Sequence, residues 1–415
     1  MKSRVLAAVG LTAVAVGALA GCAPTSSSGS GGDVTITYTN FISNGGNEKN
    51  LDKIVTAFEK DNPGVTVKVT TLPYDDYGTA LQTDLAAGTA SDAFDIEYSN
   101  YGAYEANGVL APLEVTDPSL YSKNLLDSYQ TDGTQYALPS SFSDVVLYYN
   151  KDLFDAAGVP VPTADWTWAD EKAAAEKLTD QATGQFGDHQ PITYNEYYKV
   201  LAQNGGSFLN KDGTKAAFNT PEGVEAAKWL VEKSGTVMPT VEQGQGTADF
   251  DTNLFKDGKL AMMHTGIWIF SALDGVPFNW DIAVEPGNTQ KASAVFSNAV
   301  AVSAGSEHVA EASKWVEFLT SSDTEVQTRL DAGWELPTIA DDSKLKTYLD
   351  KGAPANRQAV FDALDAIAPQ PVVATGQSEM QDAVTEELVE AQAGRKSVED
   401  ALASAEQRVN AAIAG

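Results

Sequence analysis

The chain has 415 residues, of which 43% are hydrophobic and 20% are charged, a composition typical of a globular protein rather than a disordered one. This length leaves room for two or three domains. The formal net charge of −30 at pH 7 gives a surface that repels nucleic acids and anionic lipid headgroups, so neither is expected as a partner.

The N-terminal segment has the pattern of a lipoprotein signal. A short basic start is followed by small and apolar residues that end in Leu-Ala-Gly-Cys at Cys22. This stretch is shorter than the roughly 20 residues that a membrane-spanning helix needs. We expect residues 1–21 to be a lipoprotein signal peptide and Cys22, the only cysteine, to carry the lipid. The alternative is an ordinary signal peptide with an incidental thiol. Residues 22–32, rich in serine and glycine, are expected to form a flexible tether.

From residue 33 onward, strand and helix patterns alternate. A strand pattern covers 34–38, apolar residues recur at helical spacing over 51–58, and a second strand pattern covers 65–69. Strand, helix and strand in this order predict a parallel α/β sheet.

The same alternation continues toward the C terminus. Further patterns fall at the following places: strands over 93–98, 145–149 and 260–263, and helices over 168–178, from 221, over 309–319 and over 398–413. Thr167, Thr220 and Ser397 are placed to cap three of these helices. The strand over 93–98 is expected to end in a polar turn at Ser99 and Asn100.

The sequence carries no motif of nucleotide binding, metal binding or covalent catalysis. Walker, Gly-x-Gly-x-x-Gly, His-Glu-x-x-His and Gly-x-Ser-x-Gly patterns are all missing from it. His189, His264 and His308 are far apart in sequence and are expected to be structural or surface residues. We therefore expect no catalytic residue, no metal and no cofactor. Carboxylates are numerous, so an acid pair for glycoside hydrolysis stays open as an alternative.

Aromatic residues beside polar ones, in predicted loops, are the more informative feature. They are Phe41, Tyr74, Tyr101, Tyr104, Tyr194, Tyr197, Tyr198, Trp268 and Trp334. Ligands of open α/β sheets bind beyond the carboxyl ends of the strands. Sugar rings pack their C–H faces on aromatic rings, and their hydroxyls need polar partners. The set favours a flat, polar ligand, while core packing is the alternative for each ring taken alone.

Several short motifs occur in a fixed order along the chain. They are Asn-Gly-Val-Leu-Ala-Pro-Leu at 107–113, Tyr-Tyr-Asn-Lys-Asp-Leu-Phe at 148–154, Asn-Gly-Gly at 204–206, Gly-Lys-Leu-Ala-Met at 258–262 with Gly-Ile-Trp at 266–268, and the segment 394–409. Behind the lipoprotein signal, this ordered set resembles the family 1 extracellular solute-binding proteins. These are carbohydrate-import receptors related to maltodextrin-binding protein.

The resemblance implies an α/β fold of two lobes, the type II periplasmic-binding-protein fold, with three interlobe crossings and a ligand cleft between the lobes. The N-terminal lobe would comprise 33–142 plus 286–333, and the C-terminal lobe 143–285 plus 334–415. The implied function is that of a monomeric binding protein, not an enzyme, held outside the cell membrane at Cys22. It would capture a sugar or oligosaccharide and deliver it to the permease of an ABC importer. Alternatives are the same fold with a non-sugar solute, or a lipid-anchored glycoside hydrolase.

The resemblance also implies ligand-binding positions. Trp268 in the Gly-x-Trp motif would form the cleft floor from the C-terminal lobe. Ser143 and Asp144 fall where the family often places a sugar-binding acid at the hinge; residue count favours Ser143 and chemistry favours Asp144. The other implied ligand-binding residues are Asn40, Phe41, Tyr74, Ser99, Asn100, Tyr101, Tyr194, Asn195, Glu196, Tyr197, Trp334 and Glu335. Residues 149–151 are expected to be structural.

Overall fold

The computed structural model describes residues 33–244, 247, 249–368, 370–373 and 375–415. The predicted signal peptide, the lipid-bearing Cys22 and the tether lie outside these ranges. Within the described ranges, no helix is both long enough and apolar enough to cross a bilayer.

The strands are β1 (Val34–Asn40), β2 (Val65–Thr71), β3 (Ala93–Glu97), β4 (Gln130–Thr131), β5 (Thr134–Gln135), β6 (Ala137–Asn150), β7 (Met262–Gly266), β8 (Trp280–Ala283), β9 (Ser293–Val302) and β10 (Ile367–Ala368). The helices before residue 240 are α1 (Glu48–Asp61), α2 (Tyr74–Ala87), α3 (Tyr98–Ala106), α4 (Lys123–Asp127), α5 (Lys151–Ala157), α6 (Trp168–Leu178), α7 (Tyr194–Gln203) and α8 (Pro221–Val231). The later helices are α9 (Val241–Gly244), α10 (Phe250–Lys256), α11 (Val309–Ser321), α12 (Asp323–Ala332), α13 (Asp342–Leu349), α14 (Gln358–Ala363), α15 (Gln377–Gln392) and α16 (Val398–Ala414). Two 3-10 helices cover Pro118–Leu120 and Ile267–Leu273.

The main sheet confirms the parallel α/β start that the sequence predicts. Its strand order is β2-β1-β3-β9-β6-β7, with β10 beside β9 and β8 beside β6. β1 pairs in parallel with both β2 and β3, and β9 pairs antiparallel with β3 and β6. The carboxyl ends of β1 and β3 therefore lie at one edge, which we call the strand-end edge.

Two long strands and one loop connect the two ends of this sheet. The first half of β6, residues 137–144, pairs with β9, whereas residues 145–150 pair with β7 and β8. β9 pairs with β3 through its C-terminal half and with β10 through its first two residues. Phe142 and Leu336 exchange backbone hydrogen bonds of 3.0 and 3.1 Å, which ties the loop after α12 to β6.

Buried apolar side chains form separate clusters at the two ends of the sheet. One end is packed around Ile36, Phe58 and Trp315. The other is packed around side chains such as Tyr197 and Tyr148. The sheet thus has a core at each end, and β6 and β9 run between them.

The three predicted helix caps are confirmed. Thr167 and Asp170 form a reciprocal capping box at α6. Thr220 accepts a hydrogen bond from the N–H of Gly223 at the start of α8, and Ser397 accepts one from the N–H of Asp400 at α16. α16 buries Val398, Ala401, Leu402, Ala405 and Val409 on its apolar side.

The predicted turn after β3 is wrong. α3 begins at Tyr98, directly after the strand, so Ser99 and Asn100 lie on a helix. Tyr101 is buried on the same helix, with its ring 5.4 Å from that of Tyr129 and its hydroxyl 3.0 Å from that of Thr131. Burial of this aromatic face outweighs the weak helix propensity of a segment rich in tyrosine, serine and asparagine.

Other aromatic residues predicted in loops also lie on helices. Tyr74 is the first residue of α2, after Pro73, and Tyr194 to Tyr198 lie on α7. α7 begins after Thr193, whose hydroxyl accepts a hydrogen bond from the N–H of Glu196. Its aromatic residues recur at the spacing of a buried helix, which a short stretch of polar neighbours hides.

Candidate functional site

Aromatic side chains gather at the strand-end edge. β1 ends at Asn40, which precedes Phe41, and β3 ends at Glu97. The ring of Phe41 contacts those of Tyr74 and Tyr77, with centroids 5.5 and 4.8 Å apart. Because ligands of open α/β sheets bind beyond the carboxyl ends of the strands, this edge is one candidate wall of a site.

Asn40 lies inside this edge. Its amide nitrogen donates to the carbonyl of Thr70 and the hydroxyl of Thr71, at 3.2 and 3.0 Å. Its amide oxygen accepts from both the N–H and the hydroxyl of Ser43. With its side chain buried and these bonds made, Asn40 stabilises the loop that follows β1.

A buried carboxylate also holds this loop. Asp95 accepts hydrogen bonds from the hydroxyl of Tyr38 at 2.5 Å and from the N–H groups of Phe41 and Ile42 at 3.2 and 3.3 Å. Burial outweighs these bonds and raises the pKa of Asp95 to about 7. Asp95 thereby fixes the backbone that carries the Phe41 ring.

Tyr74 and Glu97 form a polar pair at the same edge. The Tyr74 hydroxyl donates to Glu97 Oε1 at 3.0 Å, and 53% of Tyr74 is exposed. Burial raises the pKa of Glu97; the Tyr74 hydrogen bond opposes this shift, and the carboxylate of Glu335 adds to it. Glu97 is missing from the sequence-based prediction because one acid at the end of a strand looks like any solvent-facing residue.

From the later part of the chain, Trp268 supplies an exposed indole. It lies in the 3-10 helix Ile267–Leu273 after β7, and 37% of it is exposed. Its ring meets Phe296 of β9 edge to face, with centroids 5.8 Å apart. A Cβ atom on Gly266 would lie 1.9 Å from Cζ3 of this indole, so glycine is required where the ring lies against the backbone. The Gly-x-Trp motif is therefore a unit that positions the indole.

Ser143 and Asp144 lie where β6 passes from one end of the sheet to the other. Ser143 pairs with Phe296, and opposite residues of antiparallel strands share a face, so Ser143 lies on the Phe296 face. Asp144 points to the other face because side chains alternate along a strand. The Ser143 hydroxyl and both Asp144 oxygens are buried without a hydrogen-bond partner in the described part of the chain. Burial raises the pKa of Asp144, and Glu285 raises it further.

Helix α7 divides its predicted ligand-binding residues between two environments. Tyr194 and Tyr197 are 2% and 0% exposed and pack in the core, where the Tyr194 hydroxyl donates to the carbonyl of Pro371 at 2.7 Å. Asn195 is partly buried, and its side-chain oxygen has no hydrogen-bond partner among the described residues. The helix therefore uses two tyrosines for packing and leaves an amide oxygen unpaired.

Tyr198 brings α7 into relation with the strand-end edge. Its side chain is 2% exposed, and its hydroxyl has no hydrogen-bond partner in the described ranges. Burial raises the pKa of Tyr198, and the carboxylates of Glu196 and Glu97 raise it further. Glu97 belongs to β3, so the electrostatic effect of its carboxylate reaches from the strand-end edge to Tyr198 on α7. Tyr198 appears among the predicted loop aromatics but not among the predicted ligand-binding residues.

Glu196, a predicted ligand-binding acid, belongs to a buried charge network. Nζ of Lys199 lies 2.7 Å from Glu196 Oε2 and 2.7 Å from Glu285 Oε2. Nδ1 of His264 lies 3.0 Å from Glu285 Oε1. Burial acts to raise the pKa of Glu285, but His264 and Lys199 lower it to about 2. The network ties α7 to β7 and so fixes the helix that carries Tyr198.

A neighbouring group has the ligand types of a metal site. Glu171, Asp188 and His264 offer ligand atoms within 4.8 Å of one another. However, Nζ of Lys233 lies 2.5 Å from Glu171 Oε1 and 2.7 Å from Asp188 Oδ2. The ammonium of Lys233 thus occupies the place that a metal ion would take, and ion pairs hold this group together.

Two further predicted ligand-binding residues, Trp334 and Glu335, are buried. Trp334 is 2% exposed, its indole N–H donates to the carbonyl of Ile42 at 3.2 Å, and Arg329 covers its ring at 4.2 Å. Glu335 accepts hydrogen bonds from Ser141 and Asn298. Trp334 therefore packs beneath the loop after β1. The carboxylate of Glu335 raises the pKa of Glu97 at the strand-end edge.

The predicted residues thus separate by their surroundings. Phe41 and Tyr74 lie at the strand-end edge, and Ser143 shares a face with the Phe296 ring that Trp268 contacts. Residues whose side chains are buried and engaged in packing, hydrogen bonds or ion pairs are Asn40, Tyr101, Tyr194, Glu196, Tyr197, Trp334 and Glu335.

A surface cavity of about 750 Å³ lies among other residues. Trp168 and Trp229 stack in its wall with ring centroids 4.6 Å apart, and Lys228 in the same wall pairs with Glu399 at 2.6 Å. Predicted ligand-binding residues do not line it.

Comparison with known proteins identifies the family. Residues 53–356 match the family model described as bacterial extracellular solute-binding protein. An ABC substrate-binding protein of Listeria monocytogenes, solved in complex with cycloalternan, is 42% identical with a TM-score of 0.87, over 91% of this chain and 98% of that chain.

Curated relatives agree with this match. A putative binding protein of Brucella abortus (strain 2308) is 28% identical over 336 residues, which cover 78% of this chain and 80% of the relative. The galactooligosaccharide-binding protein of Bacillus subtilis (strain 168) is 27% identical over 339 residues, which cover 77% of each. The predicted two-lobed α/β fold is confirmed by the structural match, and the chain belongs to the bacterial extracellular solute-binding protein family.

Proposed function

We propose that the protein is a receptor outside the cell membrane that captures a sugar or oligosaccharide between its two lobes and delivers it to the permease of an ABC importer. The observation that carries this proposal is the exposed indole of Trp268, which Gly266 and Phe296 hold in place. An indole held in this way can pack on the C–H face of a sugar ring. Relatives solved with cycloalternan or named for galactooligosaccharides support a carbohydrate ligand.

Buried polar atoms without partners support a ligand that carries many hydroxyls. They include the hydroxyls of Ser143 and Tyr198 and the side-chain oxygen of Asn195. A buried polar group left unpaired costs about 1–3 kcal/mol, so a ligand that hydrogen-bonds to it recovers this energy. We propose that these atoms form hydrogen bonds with ligand hydroxyls. The rings of Phe41, Tyr74 and Trp268 would pack against the C–H faces of the sugar.

The other predicted positions are assigned differently in this proposal. Ser99, Asn100 and Asp144 border the site, and the engaged residues Asn40, Tyr101, Tyr194, Glu196, Tyr197, Trp334 and Glu335 support it. The lobes are proposed as 33–142 plus 286–333 and 143–285 plus 334–415. The lobes would open and close about β6, β9 and the loop at Leu336, which run between them.

Ligand capture would work by population shift. A ligand that contacts both lobes favours the closed form by its additional contacts there. One aromatic stack gives about 1 kcal/mol, and each ligand hydrogen bond to a buried group that is otherwise unpaired recovers about 1–3 kcal/mol. Micromolar affinity requires about 8 kcal/mol, which such a set can supply. The closed, monomeric receptor would then dock on the permease.

We propose binding without hydrolysis. Glu196 is ion-paired with Lys199, and Glu335 is hydrogen-bonded to Ser141 and Asn298, so these acids are engaged in holding the fold. Incubation with oligosaccharides should release no new reducing ends. Appearance of reducing ends that an active-site acid variant abolishes would favour a glycoside hydrolase instead.

We propose lipid anchoring at Cys22 from the signal pattern in the sequence. Cell fractionation should find the intact protein with the membrane and the Cys22→Ser variant released from it. Retention of that variant on the membrane by the same route would contradict the anchor.

The experiment for ligand class is a thermal-shift screen of the protein against a panel of sugars, oligosaccharides and non-sugar solutes. A ligand that binds only the folded state at one hundred times its Kd adds about 2.7 kcal/mol of stability. A raised melting temperature with an oligosaccharide supports the proposal. A melting temperature raised only by a peptide or a polyamine would show that the protein binds a non-sugar solute instead.

A further inference from the structure

Glu97 is a carboxylate at the strand-end edge without a cationic partner. It is partly buried, and Oε1 accepts one hydrogen bond, from the Tyr74 hydroxyl at 3.0 Å. Among the residues that the structure describes, Glu97 makes no ion pair within 4.0 Å. An ionised carboxylate can accept about four hydrogen bonds, so most of its capacity is free.

The surroundings of Glu97 on its own side are also acidic. The buried carboxylate of Glu335 acts electrostatically on Glu97. The nearby cation is Arg329, which is ion-paired with Glu325 and whose Nη1 lies 3.8 Å from Glu335 Oε2. This guanidinium is shared between Glu325 and Glu335, and it makes no ion pair with Glu97.

Helix α7 adds a hydrogen-bonding group, and the lysine beside that group is already ion-paired. Tyr198 of α7, which Glu97 influences electrostatically, has a buried hydroxyl without a partner. The next residue, Lys199, lies 2.7 Å from both Glu196 and Glu285, and its ammonium is fully engaged there. A carboxylate, sulfate or phosphate brought next to Glu97 would therefore meet a negative charge that no ion pair in the described part of the chain neutralises.

We propose that Glu97 is a specificity-determining residue that admits glycans offering neutral hydroxyl or ammonium donors and excludes glycans that carry anionic groups at this position. The proposal rests on the proposed carbohydrate-binding function and names the charge class of that ligand. Hydroxyl donors from the ligand would fill the free acceptor sites of Glu97. An anionic group would face repulsion from Glu97 and Glu335 in a site from which closure removes water.

The test compares neutral glycans with anionic forms of the same glycans. The probes are maltotriose, β-1,4-galactotriose and cycloalternan, each also in a form with its free primary hydroxyls oxidised to carboxylates. Calorimetry uses the full folded chain, the Glu97→Gln variant and the Glu114→Gln variant. Glu114 is exposed, so its replacement removes the same charge outside the site. Glutamine can still accept the Tyr74 hydrogen bond, which keeps Glu97→Gln close to the native structure.

The expected result is that at least one neutral probe binds and that its oxidised form binds at least tenfold more weakly. Glu97→Gln should reduce the ratio of neutral-probe to oxidised-probe affinity at least threefold, while Glu114→Gln leaves this ratio unchanged. An oxidised probe that binds as tightly as its neutral form, or a ratio that Glu97→Gln does not change, would overturn this inference alone. If no neutral probe binds, the proposed function fails for these glycans and the inference fails with it.

A thermal melt of each variant separates selectivity from folding. Glu97→Gln should melt at or above the temperature of the unaltered protein, because it removes a partly buried negative charge that the carboxylate of Glu335 disfavours. If it melts lower, the ratio of the two affinities still tests the inference, since both probes are measured on the same folded variant.

Discussion

The buried hydroxyl of Tyr198 is expected to contribute to ligand binding but not to the stability of the fold. Its hydroxyl is enclosed without a partner in the described chain, whereas the hydroxyl of Tyr194, one turn earlier on α7, donates to Pro371 at 2.7 Å. The two tyrosines lie on the same helix, are equally buried and carry the same hydroxyl group. They differ in whether the protein itself satisfies the polar group.

Replacement of each hydroxyl should therefore have opposite effects. Tyr198→Phe should leave the free energy of unfolding unchanged or raise it by up to about 1 kcal/mol, and should weaken oligosaccharide binding about fivefold to tenfold. Tyr194→Phe should lower the free energy of unfolding by about 1 kcal/mol and leave binding unchanged. Urea unfolding and calorimetry measure the two effects. Equal binding by both variants would remove the Tyr198 hydroxyl from the site.

Asp95 gives a prediction about pH. The folded protein holds a proton on Asp95 up to about pH 7, whereas the unfolded chain releases it near the ordinary pKa of 3.8. The folded state therefore binds more protons in this window, and the contribution of Asp95 to stability falls as pH rises from about 4 to 7. The slope is at most about 1.4 kcal/mol per pH unit.

Asp95→Asn should remove this part of the pH dependence. Relative to the unaltered protein, the variant should gain about 1–3 kcal/mol of unfolding free energy between pH 4.5 and 7.5, measured by urea unfolding at several pH values. Asp188 has a lowered pKa and titrates in the opposite direction, so the difference between the two proteins is the quantity to compare. A difference that stays constant with pH would contradict the assignment.

At the scale of elements, sequence patterns predict the helices with clear caps and apolar faces. α6, α8 and α16 begin at the predicted Thr or Ser residues, because a hydroxyl there satisfies an N–H that the helix leaves free. α3 and α7 were harder to predict. Their sequences contain polar residues typical of turns, and they are helical because their tyrosines are buried against distant parts of the chain.

The same limit applies to the site. Trp268 enters the proposed site from its motif, and the contact of its ring with Gly266 explains that motif physically. Glu97 and Tyr198 carry no local signal, because their roles depend on β3 and α7 meeting across the fold. A sequence pattern reports the burial of a residue along its own element, but not which residue from another element lies beside it.

The network around α7 gives a prediction at this scale. Lys199→Met should leave Glu196 and Glu285 without their shared ammonium and lower the free energy of unfolding by about 3 kcal/mol or more. Lys228→Met is the control, because the side chains of Lys228 and Glu399 are both exposed and solvent screening leaves their pair little effect on stability. Urea unfolding measures both. Equal small losses would show that the buried network does not hold the helix.

At the scale of the whole molecule, continuous strands connect the two ends of the main sheet. β6 pairs with β9 through its first half and with β7 and β8 through its second half. Residues of the proposed site lie at or near this passage, with Ser143 on β6 and Phe296 on β9. A rotation of the lobes about these strands would therefore change the distance between the Trp268 indole and the strand-end edge.

Binding of a glycan by the Trp268 indole is the central claim of the proposed function. Calorimetry with neutral oligosaccharides should detect at least one ligand with micromolar affinity or tighter, and Trp268→Ala should weaken that binding by well over tenfold while urea unfolding shows a folded protein. Unchanged affinity in the folded Trp268→Ala variant, or the absence of binding to any oligosaccharide, would contradict the account.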